Sequence, residues 1–458
     1  MSRVQRQRPA AAAGRTTGSR RCDAPGAGRA PPRVVFVNRF YAPDESATSQ
    51  MLTDLAEALV HSGVEVEVFC SRQLYGDAGA HLPAAEVLHG VRVRRLATTR
   101  FGRDSLFGRA IDYASFYFCV AAWLLARVRP GDVLVVKTDP PLLSLVGWLA
   151  ARCRRANLVN WLQDLYPEVA SRLDLSPVPR PLEALIRAAR DRSLASAQVN
   201  VVLGTRMRDY LVGRGIAPAQ ISVCENWADE RRLRPLAASR SKLRRKLGLD
   251  NDFVAAYSGN LGRAHDGATI LEAACALEND AGTVFLMVGG GAGMRSLQKQ
   301  ARARDLANFR FAPYQPREAL SDSLAAGDVH LVSLRPELEG LLVPSKLYGI
   351  LAAGRPVVFI GDPQGELALL IGTTEVGVSV RSGDSVGLCR ALRALRDDEA
   401  GRARMGARAR EVFEERYTLA AAVARWREVL ATVGASPAHA AQSLSPSPWR
   451  APRTRCLR

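Results

Sequence analysis

The chain has 458 residues, a formal net charge of +18 and a hydrophobic content of 47%. Because a single core seldom grows beyond about 250–300 residues, this length predicts two domains. Its composition is typical of a globular protein. The eight cysteines include no CxxC pair and no Cys/His pair at metal-ligand spacing, which argues against a zinc site or a disulfide framework.

The positive charge is concentrated in two tails. Residues 1–33 hold eight Arg and one Asp, and residues 434–458 hold four Arg and no acid. Both tails are rich in Ala, Pro, Ser and Gly, so we predict that residues 1–32 and 433–458 are disordered. A specific nucleic-acid partner is not expected, because most of the charge lies outside the predicted domains and no aromatic-basic motif accompanies it. A nucleic-acid-binding protein remains an open alternative.

The longest apolar run, residues 113–126, is shorter than the roughly 20 residues that cross a bilayer, so no transmembrane helix is predicted. We interpret the run as a buried helix. The alternative is an interfacial helix in which Phe116, Phe118 and Trp123 lie among lipid headgroups. No signal-peptide apolar region is recognised near the start, which favours the cytoplasm.

Strand-like and helix-like segments alternate from residue 33 onward. The first strand is predicted at residues 33–38 and an amphipathic helix at residues 48–61. Further strands are predicted at residues 64–69, 91–96, 132–137, 157–161 and 198–203. Such alternation is typical of a parallel sheet covered by helices on both faces, so residues 33–228 are predicted to form a Rossmann-like domain.

A second alternating series follows a polar segment at residues 229–241, which we interpret as a hinge. Its strands are predicted at residues 253–258, 283–288, 309–311, 329–334 and 357–360. Residues 242–410 are therefore a second Rossmann-like domain, and helices within residues 411–432 are expected to brace the first. The predicted fold class is α/β, with two doubly wound domains facing across a cleft where ligands bind at the carboxyl ends of strands.

Two glycine loops follow strands of the second domain. Gly259 and Asn260 begin the first loop, which also carries Arg263, a cation suited to phosphate oxygens. Gly290 and Gly291 lie in the second loop, where backbone N–H groups can face an anion near a helix start. Close packing of an ordinary turn explains either loop equally well.

Residues 337–354 are the most informative segment. Ser345 follows a proline and is a natural helix start, Lys346 lies in the first turn, and Gly354 ends the helix. A lysine in the first turn opposes the helix dipole, a conflict that an anion bound there resolves. We therefore expect Ser345 and Lys346 to hold phosphate and Glu339 to meet sugar hydroxyls.

Residues 337–356 resemble the donor-binding signature of retaining GT-B glycosyltransferases of family 4. Residues 344–348 (Pro-Ser-Lys-Leu-Tyr) and 160–168 (Asn-Trp-Leu-Gln-Asp-Leu-Tyr-Pro-Glu) are similar to the branch that builds capsule, colanic-acid and O-antigen polysaccharides. Matching pieces occur in the expected order at residues 40–44, 138–141, 257–262 and 361–366. The resemblance covers roughly residues 33–430.

This resemblance implies the residues of the site. Catalytic roles fall to Asp164, Arg263, Lys346 and Glu339. The donor is expected to contact Gly259, Asn260, Gly290, Gly291, Glu337, Gly340, Ser345 and Glu366. Asp44, Glu45 and Ser46 occupy the place of the loop that faces the donor and the acceptor.

The resemblance also implies the partners. The donor is a nucleotide sugar, with a UDP-sugar expected, and the acceptor is an undecaprenyl-diphosphate-linked saccharide. The sugar is transferred with retention by front-side displacement, and neither a metal nor another cofactor is required. The enzyme is expected to lie at the cytoplasmic face of the membrane as a peripheral protein, within surface polysaccharide biosynthesis.

Several positions depart from the family pattern. Gly349 stands where the family has its second Glu, so the contact with the nucleotide ribose is expected to pass to Asp362 or Glu366. Asn260 and Asp266 replace the Arg and Lys of the family's glycine loop, leaving Arg263 as the cation. Gln163 replaces a common His, which argues against a general base there.

Three alternatives remain open. A nucleotide-sugar 2-epimerase has the same fold and donor, but it needs no acceptor. A glycosidase would need a partner for the carboxylates of Glu337 and Glu339, and none is identifiable in the sequence. A non-catalytic relative would retain the fold, although the presence of Arg263, Glu339 and Lys346 argues against it.

Overall fold

The computed structural model describes residues 32–434 except 78, 102–105, 177 and 281. The predicted tails lie outside these residues, apart from residue 32 and residues 433 and 434, the last two of which belong to the final helix. The described residues form two sheets with helices on both faces, so the α/β prediction of two doubly wound domains is confirmed.

The first domain contains eight strands and six helices within the described residues. The strands are β1 (Val34–Val37), β2 (Val66–Ser71), β3 (Ala85–Leu88), β4 (Val91–Leu96), β5 (Val133–Lys137), β6 (Asn157–Trp161), β7 (Val199–Val202) and β8 (Ile221–Val223). The helices are α1 (Ala47–His61), α2 (Leu106–Arg127), α3 (Leu143–Arg154), α4 (Glu168–Arg172), α5 (Arg180–Ala195) and α6 (Thr205–Gly213). The strand order is β3-β4-β2-β1-β5-β6-β7-β8, with β3 antiparallel to β4 and the other pairs parallel.

The second domain contains a six-stranded parallel sheet. Its strands are β9 (Phe253–Asn260), β10 (Thr283–Gly290), β11 (Phe309–Ala312), β12 (Val329–Ser333), β13 (Val357–Gly361) and β14 (Gly377–Arg381), in the order β11-β10-β9-β12-β13-β14. The helices that follow α6 are α7 (Lys242–Lys246), α8 (Ala268–Ala276), α9 (Ala292–Ala303), α10 (Leu320–Ala325), α11 (Lys346–Ala352), α12 (Glu366–Thr374), α13 (Ser385–Asp397), α14 (Glu399–Arg416) and α15 (Leu419–Gly434).

The extent to which each strand is buried explains why some strands were predicted from the sequence and others were not. Strands β1 and β5 are buried along their whole length, because α1 and α15 cover one face of the sheet and α2 and α3 cover the other. They therefore read as continuous apolar runs. Three strands were not predicted, namely β3, β8 and β14, and each lies at the edge of its sheet. Edge strands are short and partly exposed, so they lack such a run.

The predicted buried helix at residues 113–126 lies within α2 and is buried along one stripe only. Phe116, Val120 and Leu124 are buried, whereas Phe118 is 76% exposed. The predicted buried helix is therefore present, but only one side of it is buried, because α2 is an outer layer and only that side meets the sheet. No helix in the described part of the chain is long and apolar enough to cross a membrane.

The two domains touch at the floor of the cleft between them. The Leu165 N–H donates to the Leu341 carbonyl oxygen at 2.9 Å. Asp164 and Leu342 form an isolated antiparallel bridge at the same place. The loop after β6 is therefore joined to the segment that leads into α11.

The chain crosses between the domains near residue 228 and again near residue 418. The Ala228 N–H donates to the Tyr417 carbonyl oxygen at 3.1 Å, so the two crossings lie side by side. Beyond the second crossing, α15 packs on the first domain, where the Trp426 ring lies 4.7 Å from the Trp161 ring. The last helix thus belongs to the core of the first domain.

Candidate active site

The two glycine loops follow β9 and β10 and pack against each other. Gly289 has a φ of 127°, and a Cβ there would lie 2.3 Å from the Gly259 carbonyl oxygen. Gly291 has a φ of 109°, and its Cβ would lie 2.1 Å from Asn260 Oδ1. A Cβ on Gly290 would approach a ring carbon of Tyr314 at 3.1 Å. Close approach of one loop to the other therefore accounts for Gly289 and Gly291.

Lys346 lies in the first turn of α11 beside a neutral histidine. Its Nζ is 3.3 Å from His265 Nε2 and 4.7 Å from the centroid of the Tyr257 ring. Burial and the neighbouring Lys346 lower the pKa of His265 to about 3. Because His265 Nδ1–H donates to the Ser333 carbonyl oxygen at 2.5 Å, Nε2 is left to accept from the lysine.

The charge of Lys346 has no carboxylate partner among the described residues. Burial lowers the pKa of Lys346 to about 7. A Cβ on Gly259 would lie 3.7 Å from Lys346 Cε, so the first glycine loop runs beside the lysine. Arg263 on that loop is exposed and has no hydrogen bond or ion pair with any described residue. The Ser345 hydroxyl makes no capping hydrogen bond. Lys346, Arg263 and the Ser345 hydroxyl therefore form a candidate anion-binding site.

The two predicted sugar-binding carboxylates have different surroundings. Glu339 Oε1 accepts the Glu366 N–H at 2.7 Å, so this side chain is held at the start of α12. Burial raises the pKa of Glu339. Glu337 instead forms an ion pair with Arg335 at 2.5 Å. Glu339 is therefore the carboxylate that the fold positions, while Glu337 already has a partner.

The carboxylates expected to replace the family's ribose contact also have other partners. Glu366 Oε2 accepts the Arg206 N–H at 2.7 Å and the Thr205 hydroxyl at 3.1 Å, which joins α12 to the first domain. Asp362 Oδ1 accepts the backbone N–H two residues along the chain at 2.9 Å. Gly340 lies where the first domain comes closest, since its Cβ would be 3.2 Å from the Arg206 carbonyl oxygen.

Asp164 lies on the opposite side of the cleft, directly after β6. It shares a small cavity with Thr138, whose hydroxyl accepts the Asp164 N–H at 3.4 Å. Burial raises the pKa of Asp164 to about 6, the nearby Asp139 raises it further, and Lys137 lowers it. A carboxyl group with this pKa changes charge close to neutral pH.

Lys137 is a candidate site residue that the sequence analysis did not single out. Its Nζ donates to the Thr48 carbonyl oxygen at 2.9 Å and lies 3.7 Å from the centroid of the Trp161 ring. Burial lowers the pKa of Lys137 to about 7, against the opposing effects of Asp139 and Asp164. The available signal was a lysine at the carboxyl end of a buried apolar strand, where ligands bind in such folds.

The predicted acceptor loop is held mainly by its own hydrogen bonds. Asp44 Oδ1 accepts the Ser46 N–H at 2.9 Å and the Ser46 hydroxyl, and Oδ2 accepts the Tyr75 N–H. Glu45 is exposed. Of the three predicted acceptor residues, Asp44 and Ser46 shape the loop, and the carboxylate of Glu45 faces outward.

Gln163 is paired with a second amide. Its Nε2 donates to Asn226 Oδ1 at 3.2 Å, and Asn226 Nδ2 donates back to Gln163 Oε1 at 3.1 Å. Both side chains are buried. The position that holds a His in many relatives therefore serves here as a structural amide pair.

Two Rossmann-like domains that face across a cleft, with Lys346 on one side and Asp164 on the other, are the arrangement of a GT-B glycosyltransferase. The family described as "Glycosyl transferase 4-like domain" matches residues 46–227, and the one described as "Glycosyl transferases group 1" matches residues 239–412. Together they match well over half of the chain. The chain belongs to the GT-B glycosyltransferases of family 4.

Similar proteins agree with this assignment. WcaI of Escherichia coli (strain K12), named as a colanic acid biosynthesis glycosyl transferase, is 28% identical over 351 residues, covering 74% of this chain and 86% of WcaI. Sucrose-phosphate synthase from Thermosynechococcus elongatus has the same fold, with a TM-score of 0.71, 18% identity and coverage of 88% of this chain and 99% of that one. Anabaena HepE in complex with UDP-glucose gives a TM-score of 0.65, 16% identity and coverage of 87% and 99%.

Proposed function

We propose that this protein transfers a sugar, with retention, from a UDP-sugar to an undecaprenyl-diphosphate-linked saccharide in bacterial surface polysaccharide biosynthesis. The observation that carries the proposal is Lys346, which lies beside the first glycine loop and has no carboxylate partner in the described chain, together with the exposed Arg263 on that loop. Two such cations fit the diphosphate of a nucleotide sugar. The UDP-glucose bound to HepE and the naming of WcaI as a colanic acid enzyme support the donor and the pathway class.

The proposed reaction is a front-side displacement. The bond from the anomeric carbon to the diphosphate oxygen breaks while the acceptor oxygen bonds to the same face of that carbon, and the acceptor proton passes to the departing oxygen. Lys346 and Arg263 stabilise the charge that develops on the diphosphate. Glu339, held by the Glu366 N–H, orients the sugar. Since the chain supplies both cations, we propose that no metal cofactor is needed.

Asp164 is proposed to act on the acceptor side of the cleft. Its carboxylate lies after β6, joined through the Asp164–Leu342 bridge to the segment that leads to Lys346. In its ionised form it orients the attacking hydroxyl by accepting a hydrogen bond. Lys137 acts through Asp164 as a positioning residue, because it favours the ionised carboxylate and also anchors the first turn of α1.

Turnover of single variants tests the donor site. Lys346→Ala and Arg263→Ala are each expected to lower the transfer rate by about 10²-fold or more, as losses of transition-state charge stabilisation do. Lys299→Ala, an exposed lysine on α9, is the matched control and should transfer at the wild-type rate. Near-normal turnover in both donor-site variants would contradict the proposal. A sugar altered without any acceptor would indicate the epimerase instead.

A further inference from the structure

The outward side of the first domain carries a concentration of exposed apolar side chains. Among the described residues fourteen large hydrophobic side chains are exposed, and three of these belong to the second domain. Six lie on three helices of the first domain, namely Phe107, Phe118, Leu125, Leu149, Leu182 and Leu185. We call the outward surface of α2, α3 and α5 the α2–α3–α5 face.

The three helices form a continuous layer on the sheet. Helix α3 packs against both α2 and α5, and the Ser193 hydroxyl of α5 donates to the Ser144 hydroxyl of α3 at 3.0 Å. On α2, Phe107, Phe118 and Leu125 are spaced by eleven and seven residues, so they lie within roughly 20° of one line along the helix. They are 77%, 76% and 36% exposed. An apolar ridge therefore runs along the outside of α2.

The exposed charge on these helices is predominantly positive. Their exposed charged side chains include Arg127, Arg152, Arg180 and Arg192. Their acidic side chains are Asp112, which is 1% exposed, Glu183, which pairs with Arg187, and Asp191, which pairs with Arg190 and Arg214. The α2–α3–α5 face thus combines apolar side chains with arginines, the combination that binds an anionic bilayer surface.

The ridge begins at the edge of the cleft. Asp112 of α2 pairs with Arg39, which follows β1, and accepts the hydroxyl of Thr99, which follows β4, at 2.7 Å. The Tyr117 hydroxyl donates to the carbonyl oxygen of Pro141, which follows β5. The first turns of α2 therefore lie at the carboxyl ends of the strands, where the substrates of such folds bind.

We propose that the α2–α3–α5 face docks on an anionic bilayer, with Phe107, Phe118 and Leu125 entering the headgroup region and the arginines contacting lipid phosphates. Part of this inference rests on the proposed function, since docking would bring a lipid-linked acceptor to the cleft edge. The docking itself depends on the surface alone. A second copy of the chain is the competing occupant of an apolar face.

Vesicle sedimentation of the full-length protein tests the docking. The combined variant Phe107→Gln, Phe118→Gln and Leu125→Gln is expected to bind vesicles of phosphatidylglycerol and phosphatidylcholine at least tenfold more weakly than wild type. The control changes three side chains of comparable exposure on other surfaces, Val87→Gln, Leu369→Gln and Val386→Gln, and should bind as wild type does. A second variant, Arg127→Glu with Arg152→Glu, should lose the preference for anionic over pure phosphatidylcholine vesicles.

The outcomes separate the docking from the proposed reaction. Equal vesicle binding by the glutamine variant and wild type overturns the docking. The docking is also overturned if the wild type is a dimer, the glutamine variant is a monomer and both bind vesicles equally. The face would then be covered by a second copy of the chain. Wild-type transfer to a water-soluble acceptor by the glutamine variant, with lost transfer in vesicles, supports the docking. Loss of vesicle binding by the glutamine variant supports the docking whether or not the wild type glycosylates an acceptor. Failure of the wild type to glycosylate any acceptor counts against the proposed function alone.

Discussion

Each domain places one lysine at the cleft, and the two lysines have different surroundings. Lys346 faces the neutral His265 and has no carboxylate partner among the described residues, whereas Lys137 lies near Asp139 and Asp164. Burial lowers the pKa of both to about 7. Within the described residues the second domain provides no carboxylate for its lysine, whereas the first domain places two carboxylates near its own. This difference supports the proposal that the incoming diphosphate binds on the Lys346 side.

The strongest test of this comparison is proton uptake on binding UDP. With a pKa of about 7, Lys346 is mostly neutral at pH 8, and a bound diphosphate raises its pKa, so binding should take up about one proton. Lys346→Met should abolish the uptake and weaken UDP binding by about 10²-fold. Calorimetry in two buffers of different ionisation enthalpy measures both. Lys137→Met is the control and should keep the proton uptake. Proton uptake that persists in Lys346→Met would contradict the binding of the diphosphate at Lys346.

A smaller effect is expected from Asp164. Because burial raises the pKa of Asp164 to about 6, its carboxyl group is protonated below that pH and ionised above it. If the ionised form orients the acceptor, the transfer rate rises through pH 6 and levels off. Asp164→Asn should lower the plateau by about tenfold, the cost of losing one hydrogen bond between a charged group and the acceptor hydroxyl. It should also remove the rise. A pH profile measured at saturating donor distinguishes this from a general loss of folding, which would leave the rise in place.

The smallest effect is expected from Lys137. Its positive charge lowers the pKa of Asp164, so Lys137→Met should raise that pKa and move the acidic limb of the pH profile to higher pH. At pH 8 the rate should change only about severalfold, because Asp164 is then ionised in either protein. Lys137→Arg keeps the charge and should restore the wild-type limb. A limb that stays in place in the methionine variant would show that Lys137 serves packing alone.

Local sequence pattern was sufficient for most of the fold and for one half of the site. Strands β4 and β6 were predicted with their observed bounds, because apolar and polar residues alternate in β4 and apolar residues predominate in β6. Ser345 and Lys346 were placed at the start of α11 from residue types alone. Such features depend on neighbours within a few residues, which a sequence displays directly.

The remaining features depend on contacts between distant parts of the chain. Nothing near Glu366 shows that its carboxylate reaches Arg206, 160 residues earlier. In the sequence Asp44 resembles a free ligand, but in the structure its carboxylate accepts the Tyr75 N–H. In the sequence, Lys137 is only the last residue of a strand. The carboxylate of Asp164, which raises the pKa of Lys137, comes after the next strand. Sequence proposed these carboxylates as ligands, and tertiary contacts determine which of them have other partners.

The paired crossings at Ala228 and Thr418 have a mechanical consequence. A single linker lets two domains bend and twist about each other. Two linkers that are hydrogen-bonded side by side still allow bending but resist twisting. We expect the two bonded crossings to limit any separation of the domains to one swing about the line through them. The same swing that parts Leu165 from Leu341 also lifts Asp164 away from the Lys346 segment. We therefore expect substrate entry and separation of the proposed catalytic residues to occur in a single motion.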